Sequence, residues 1–219
     1  MNSMTRSTLT VATLVLGVLP ALAATETREA TGFSALSLAA PIRVDLILGD
    51  RESVVLEGAE ALLAQIETTV EKGALRIRRK PGPHAWSPGW NQNEVRARVT
   101  ARRIDAVAIA GSGDIVAPQL TGSSLAISIV GSGDVTIGGG KVANLAVDIA
   151  GSGDVRAGRL DADSVAISIS GSGDATVWAR QSLSVHVAGS GDVKFYGDPA
   201  VSKRVAGSGE VRRLGAAPS

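Results

Sequence analysis

The four-residue motif Gly-Ser-Gly-Asp recurs through the second half of the chain. Successive copies start 20, 20, 20, 18 and 18 residues apart, and the last copy ends in Glu instead of Asp. The copies begin at Gly111, Gly131, Gly151, Gly171, Gly189 and Gly207. A period of this length is typical of a solenoid, in which each unit buries its apolar face only against its neighbours.

The residues before each motif alternate between aliphatic and small or polar types. Ile127 and Ile129, for example, flank Ser128 just before Gly131. This period of two predicts strands with one buried face. The strands are too far apart in sequence for tight hairpins and too close together for helical crossovers. We therefore predict an all-β chain in which residues 104–214 form a regular parallel β-helix, right-handed like most parallel crossovers, rising ~4.8 Å per turn.

The motif itself is expected to form a corner of the solenoid. Both of its glycines can adopt a positive φ and allow close stacking on the neighbouring turn. These structural glycines are Gly111 and Gly113, Gly131 and Gly133, Gly151 and Gly153, Gly171 and Gly173, Gly189 and Gly191, and Gly207 and Gly209. The aspartate is expected to accept a hydrogen bond from a backbone N–H of its own turn.

The motif aspartates are also a candidate metal site. In a stacked solenoid they form a column with ~4.8 Å between neighbours, and their negative charges repel one another. This aspartate column comprises Asp114, Asp134, Asp154, Asp174 and Asp192. Calcium, which prefers oxygen ligands, would relieve the repulsion. The alternative is that turn N–H groups stabilise each carboxylate and that the protein has no cofactor.

Residues 1–23 resemble an export signal. Arg6 precedes an apolar run over residues 9–19, and Pro20 is followed by the small-x-small sequence at 21–23. This pattern predicts a cleaved signal peptide and a periplasmic, secreted or cell-surface protein without a transmembrane segment, since the run is shorter than the ~20 residues of a membrane helix. The remaining chain has 21 basic and 21 acidic residues, which gives no general attraction to nucleic acid.

Residues 24–103 are predicted to be β-structure of less regular form. Strands are expected near residues 35–38, 42–48, 53–57 and 95–99, with a short helix at 59–65 and a hairpin at 66–79. This segment forms either longer-looped turns of the solenoid or a small capping sheet. An open solenoid end exposes unpaired backbone groups, so self-association through the ends is a further expectation. Residues 215–219 form a tail.

Basic residues alternate with apolar ones on two of the N-terminal strands. Arg76, Arg78 and Lys80 lie on the first, and Arg96 and Arg98 lie on the second. If the two strands are adjacent, their outer faces form one cationic patch for phosphate or carboxylate groups of lipopolysaccharide or polysaccharide. The alternative is a solvated face on which the basic groups pair with nearby glutamates.

The loop over residues 81–93 is rich in proline and glycine and contains Trp86 and Trp90. Exposed tryptophan beside arginine would suit stacking on a sugar ring or contact with a protein. Equally, the two rings could fold back and cover the solenoid.

The repeated "GSGD" after alternating Ile/Val strands, together with "LRIRRK" at residues 75–80, resembles the family of putative autotransporter adhesins with a head GIN domain. The resemblance extends over residues 30–212. It implies an exported bacterial β-helix protein, and members of the family generally have no established activity. No catalytic residues can be transferred from it.

The expected function is binding or structural support in the cell envelope without catalysis. One outward column contains Ser128, Asp148, Ser168 and His186, but a serine lies between the aspartate and the histidine, whereas a catalytic triad needs the histidine in the middle. The alternative is a carbohydrate-active enzyme acting on a polysaccharide, a reading that depends on fold analogy alone.

Overall fold

The computed structural model describes residues 24–81 and 95–218, which form seventeen strands and one short helix. The elements are β1 Ala24–Arg28, β2 Ala35–Ala39, β3 Arg43–Leu48, β4 Ser53–Gly58, α1 Glu60–Leu63, β5 Ile66–Glu71, β6 Ala74–Arg79, β7 Val95–Ala101, β8 Ala106–Gly111, β9 Asp114–Ala117, β10 Leu120–Gly131, β11 Val135–Ile137, β12 Gly140–Gly151, β13 Val155–Gly171, β14 Ala175–Gly189, β15 Val193–Tyr196, β16 Ala200–Gly207 and β17 Val211–Gly215. The predicted signal peptide and most of the predicted tryptophan loop lie outside the described residues.

The regular half of the chain is a parallel β-solenoid, as predicted. Strands β8, β10, β12, β13, β14 and β16 pair in parallel through the residues that precede each motif, and we call this stack sheet A. Strands β9, β11, the beginnings of β13 and β14, β15 and β17 pair in parallel after each motif, and we call this stack sheet B. The beginnings of β10 and β12 and the middle of β13 form a shorter third ladder, sheet C.

The N-terminal segment contains both predicted alternatives. Strands β2 and β3 form a turn in register with β8 and β9, and β6 and β7 form another turn on the far side of β2 and β3. Beyond that turn, β5 pairs with β6 and β4 pairs with β7 in antiparallel fashion, and β1 pairs antiparallel with β4. These three antiparallel strands cap the solenoid.

The lumen of the solenoid is filled with aliphatic side chains. Register places Leu125, Leu145, Val165 and Leu183 side by side, and all four are buried. In the part of the chain that the structure describes, no polar or charged residue is buried. Helix α1 is shorter than predicted and contributes Leu63 to the same core.

The two glycines of each corner have different roles, which corrects the expectation that both adopt a positive φ. Gly131, the first glycine, has φ 125°. Gly133, the second, is buried with no positive φ, and a Cβ there would overlap the carbonyl oxygen of Gly113 on the preceding turn. The first glycine therefore makes the bend, and both glycines allow the turns to stack closely, since a Cβ on Gly131 would likewise overlap the carbonyl oxygen of Gly111.

Candidate binding surfaces on the outer faces

The aspartate column forms a hydrogen-bonded ladder along the edge of sheet B. The Oδ1 atom of Asp134 accepts the backbone N–H of Asp154 at 3.0 Å, and Asp154 accepts the N–H of Asp174 at the same distance. Asp174 likewise accepts the backbone N–H of Asp192, and Asp192 accepts the backbone N–H of Glu210. Each carboxylate thus binds the next turn rather than its own, which corrects the predicted local turn.

Basic side chains further neutralise the column. Arg156 donates to Asp134 at 2.7 Å and to Asp154 at 2.8 Å, and the Nζ atom of Lys194 lies 3.6 Å from Asp174. The hydrogen bond to Asp134 raises the pKa of the Arg156 guanidinium above its ordinary value, so this group stays charged. Over residues 24–81 and 95–218, no group of three or more acidic or histidine side chains has an arrangement that could hold a metal ion.

The two basic strands, β6 and β7, are not adjacent. They therefore do not form the single cationic patch that was predicted for adjacent strands. Strand β6 pairs with β2 and β5 in sheet A, whereas β7 pairs with β3 and β4 in sheet B. The predicted binding residues Arg76, Arg78, Lys80, Arg96 and Arg98 are thereby divided between two faces.

Each of these five cations has an acidic or carbonyl partner. Arg76 lies 3.2 Å from Glu71, and Arg78 lies 2.8 Å from Glu67. The other three contact Asp45 (Arg96, 3.3 Å), Glu57 (Arg98, 3.8 Å) and the carbonyl oxygen of Ala64 (Lys80, 2.8 Å). Four of the five cations thus face a carboxylate, of which Asp45 is shared with Arg43, whereas the carbonyl oxygen leaves the charge of Lys80 unbalanced. Trp86 and Trp90 lie outside the described residues.

The outer face of sheet A is flat and carries small side chains. Register aligns Ser128, Asp148, Ser168 and His186 in the predicted order. Alanines flank this row, including Ala126 and Ala166, which are exposed. An open depression of about 350 Å³ lies beside this row, and its lining includes Ala126 and Ala166.

The half-exposed aromatic residues of the described chain are Trp178 and Tyr196, and they are neighbours on sheet B. Each lies seven residues after the first glycine of its motif. On the two preceding turns the same position is occupied by Gly138 and Gly158. A Cβ on Gly158 would lie 3.3 Å from Cε2 of Tyr196. The tyrosine ring therefore lies over the backbone that the glycine leaves uncovered.

An open depression of about 450 Å³ adjoins this ring. Its lining includes Arg156, Thr136, Thr176, Gly158 and Tyr196. Residues Thr136, Arg156, Thr176 and Lys194 are aligned across successive turns of sheet B. These residues were not among the binding residues predicted from the sequence, although their shared position after the motif was a signal that could have found them.

The C-terminal end of the solenoid lacks a cap in the described chain. Every residue of β16 is exposed, including Val201 and Val205 at lumen-facing positions. Lys203 aligns with buried Val185, and Arg213 aligns with buried Phe195, so two cations occupy positions that are aliphatic or aromatic one turn earlier. Inward-pointing charge on an edge strand opposes pairing with another chain.

These features define a parallel β-solenoid whose lumen is filled with aliphatic side chains and in which none of the described polar or charged residues is buried. The model of the family described as "putative auto-transporter adhesin, head GIN domain" matches residues 32–199. The chain belongs to this family. No described helix has the length and apolar character needed to cross a bilayer.

Solved structures of other bacterial proteins share this fold. A structure described as a putative adhesin from Bacteroides fragilis has a TM-score of 0.73 at 21% identity, covering 88% of this chain and 97% of that chain. One described as a putative lipid binding protein from Parabacteroides distasonis has a TM-score of 0.51 at 20% identity, with coverages of 88% and 96%. At such identities the likeness shows the fold alone. None of the curated proteins compared with the chain matches it.

Proposed function

We propose that the protein is an exported, non-catalytic binding protein of the cell envelope that recognises a polysaccharide through the outer faces of its solenoid. The observation that carries this proposal is the completely packed lumen. Because its core positions are filled by buried aliphatic side chains, a ligand has to bind on the outside, where the sheets present side chains at a regular spacing of ~4.8 Å. A polymer with a repeating unit suits such a surface.

The charge distribution favours a polysaccharide over lipopolysaccharide phosphate. A phosphate-binding surface uses cations that lack competing carboxylates. Here Arg76, Arg78, Arg96 and Arg98 each contact an acidic side chain. The hydroxyl groups of a sugar polymer can instead form hydrogen bonds with ion pairs that carry no net charge. Its C–H faces can stack on aromatic rings.

Binding of the purified protein to isolated envelope fractions tests the proposal. The fractions are peptidoglycan, capsular polysaccharide, lipopolysaccharide and phospholipid vesicles. We expect saturable binding to a polysaccharide fraction and no shortening of the polymer during incubation. An absence of binding to both polysaccharide fractions, binding to vesicles alone, binding to lipopolysaccharide that lipid A alone reproduces, or release of oligosaccharides would overturn the proposal.

Three surface variants separate specific from nonspecific binding. Ala126→Arg with Ala166→Arg places bulky charge on sheet A, Thr176→Arg does so on sheet B, and Thr121→Arg does so on sheet C. All four positions lie on outer faces, so folding should be retained. Loss of binding in one variant but not in the others supports recognition by a defined face, whereas equal binding by all variants contradicts it.

A further inference from the structure

The depression beside Tyr196 combines an aromatic ring with hydrogen-bonding groups. Tyr196 projects from β15 toward Gly158 two turns away, and Gly215 lies at the other edge of the ring, since a Cβ there would lie 4.0 Å from Cδ1. Thr176 lies on the turn between Gly158 and Tyr196 and lines the same depression. A tyrosine side chain has only two torsions to fix, so its ring offers a flat apolar face at little cost in conformational entropy.

The Arg156 guanidinium is held in place. Its two terminal nitrogens donate to Asp154 of its own corner and to Asp134 of the preceding corner. A guanidinium has five N–H donors, and these two bonds use two of them. The two carboxylates already fix the plane of the guanidinium. Its remaining donors therefore lose little conformational entropy when they form hydrogen bonds to a ligand.

The electrostatics of the depression favour an uncharged ligand. The positive charge of Arg156 is offset by the carboxylates of Asp134 and Asp154. Arg159, the second cation that lines the depression, also has an interaction partner of its own. A charged ligand gains less from cations that already have partners than from cations without them. A row of hydroxyl and N–H groups beside an aromatic face matches the two sides of a neutral pyranose, which has apolar C–H groups and several hydroxyls.

We propose that the depression on sheet B binds one pyranose unit of a neutral glycan, with its C–H face stacked on Tyr196 and its hydroxyls bonded to Arg156, Thr136 and Thr176. This inference rests on the proposed polysaccharide-binding function and assigns one site and one ligand class to it. The alignment of Thr136, Arg156 and Thr176 on successive turns places the polar groups on the side of the ring that faces the N-terminal end. A glycan chain would therefore extend along the solenoid axis.

A glycan array that carries neutral and acidic oligosaccharides tests this site with the purified wild-type protein. We expect binding to at least one neutral oligosaccharide, and about tenfold weaker binding by Tyr196→Ala, because the stacked ring is lost. Tyr196→Phe is the matched control, since it retains the ring and should bind within a few fold of wild type. Thr176→Val, which removes one hydroxyl and keeps the shape, should weaken binding by a smaller factor.

Thermal unfolding of each variant shows whether the fold is retained. If Tyr196→Ala has a markedly lower Tm than wild type, the site is tested by the other two variants: Thr176→Val should bind the glycan more weakly than Tyr196→Phe. Equal binding of neutral glycans by Tyr196→Ala and wild type overturns the site. Binding to acidic glycans alone overturns the ligand class. Binding to an envelope polysaccharide fraction without any neutral glycan on the array overturns this inference and leaves the proposed function standing. Failure to bind any fraction overturns both.

Discussion

The carboxylate of Asp174 accepts the backbone N–H of Asp192 on the next turn at 2.9 Å. The same bond recurs from Asp114 to Glu210, so the corner motif joins successive turns through a side chain as well as through the backbone. Each aspartate therefore stabilises the stacking of its neighbour. This explains why the turns that carry the motif have an acidic residue at this point although the acidic groups repel one another.

Asp174→Ala should lower the free energy of unfolding by about 1–2 kcal/mol, because the N–H of Asp192 loses its charged acceptor. Asp174→Asn keeps an acceptor oxygen at the same place and loses only the exposed contact with Lys194, which is worth about 0–1 kcal/mol. Chemical denaturation measures both values. An alanine variant as stable as the asparagine variant would show that the ladder contributes nothing to stability.

Gly133→Ala should destabilise the protein by about 3 kcal/mol or more, because the added Cβ overlaps a backbone oxygen that cannot move without separating two turns. Gly122→Ala is the matched control. A Cβ at that exposed strand position would meet nothing closer than 3.9 Å, and its effect should be close to zero. Thermal and denaturant unfolding compare the two, and similar stabilities would contradict the close-stacking role of the second glycine.

The regular solenoid could be predicted from sequence because its turns repeat the same alternation and the same corner. The order of the N-terminal turns could not. Strands β2 and β6 have nearly the same aliphatic pattern, and nothing in that pattern tells which of them contacts β8. In the structure, the turn formed by β2 and β3 contacts β8 and β9. The turn formed by β6 and β7 lies on its other side, farther from β8, although it comes later in the chain.

The polar surfaces were predictable only in part for a related reason. Register follows from the period, so the aspartate column and the row containing Ser128 and His186 were placed correctly. The period also gives the face on which a side chain lies, but it does not give the rotamer that the side chain adopts there. Tyr196 reaches a glycine two turns away, and Arg156 bridges two carboxylates, so both contacts depend on rotamers that alternation does not specify.

Calcium should leave the stability of the protein unchanged. A site with the affinity of extracellular calcium modules, with a Kd of about 10⁻⁴–10⁻³ M, would add about 1.4–2.7 kcal/mol in 10 mM calcium. In the aspartate column, one oxygen of each carboxylate accepts a backbone N–H, and Arg156 and Lys194 occupy the second oxygens of three of them. Thermal unfolding in calcium and in chelator tests this, and a higher Tm in calcium would restore the predicted metal site.

Lys203→Val should make the protein self-associate through its C-terminal end. Lys203 occupies a lumen-facing position aligned with buried Val185, next to Val201 and Val205, whose exposed fractions are 44% and 37%. A strand edge with three aligned valines would present a continuous apolar surface and unpaired backbone groups, which favours pairing with a second copy.

Arg204→Val is the matched control for this variant, because it removes the same charge from the outward side of β16, where Arg204 aligns with exposed His186. Light scattering coupled to size-exclusion chromatography should give a monomer for the wild-type protein and for Arg204→Val, and a larger species for Lys203→Val that grows with concentration. If wild type is already oligomeric, or if both variants associate equally, the inward charge at residue 203 does not protect the end of the solenoid, and the earlier expectation of self-association through the ends regains its support.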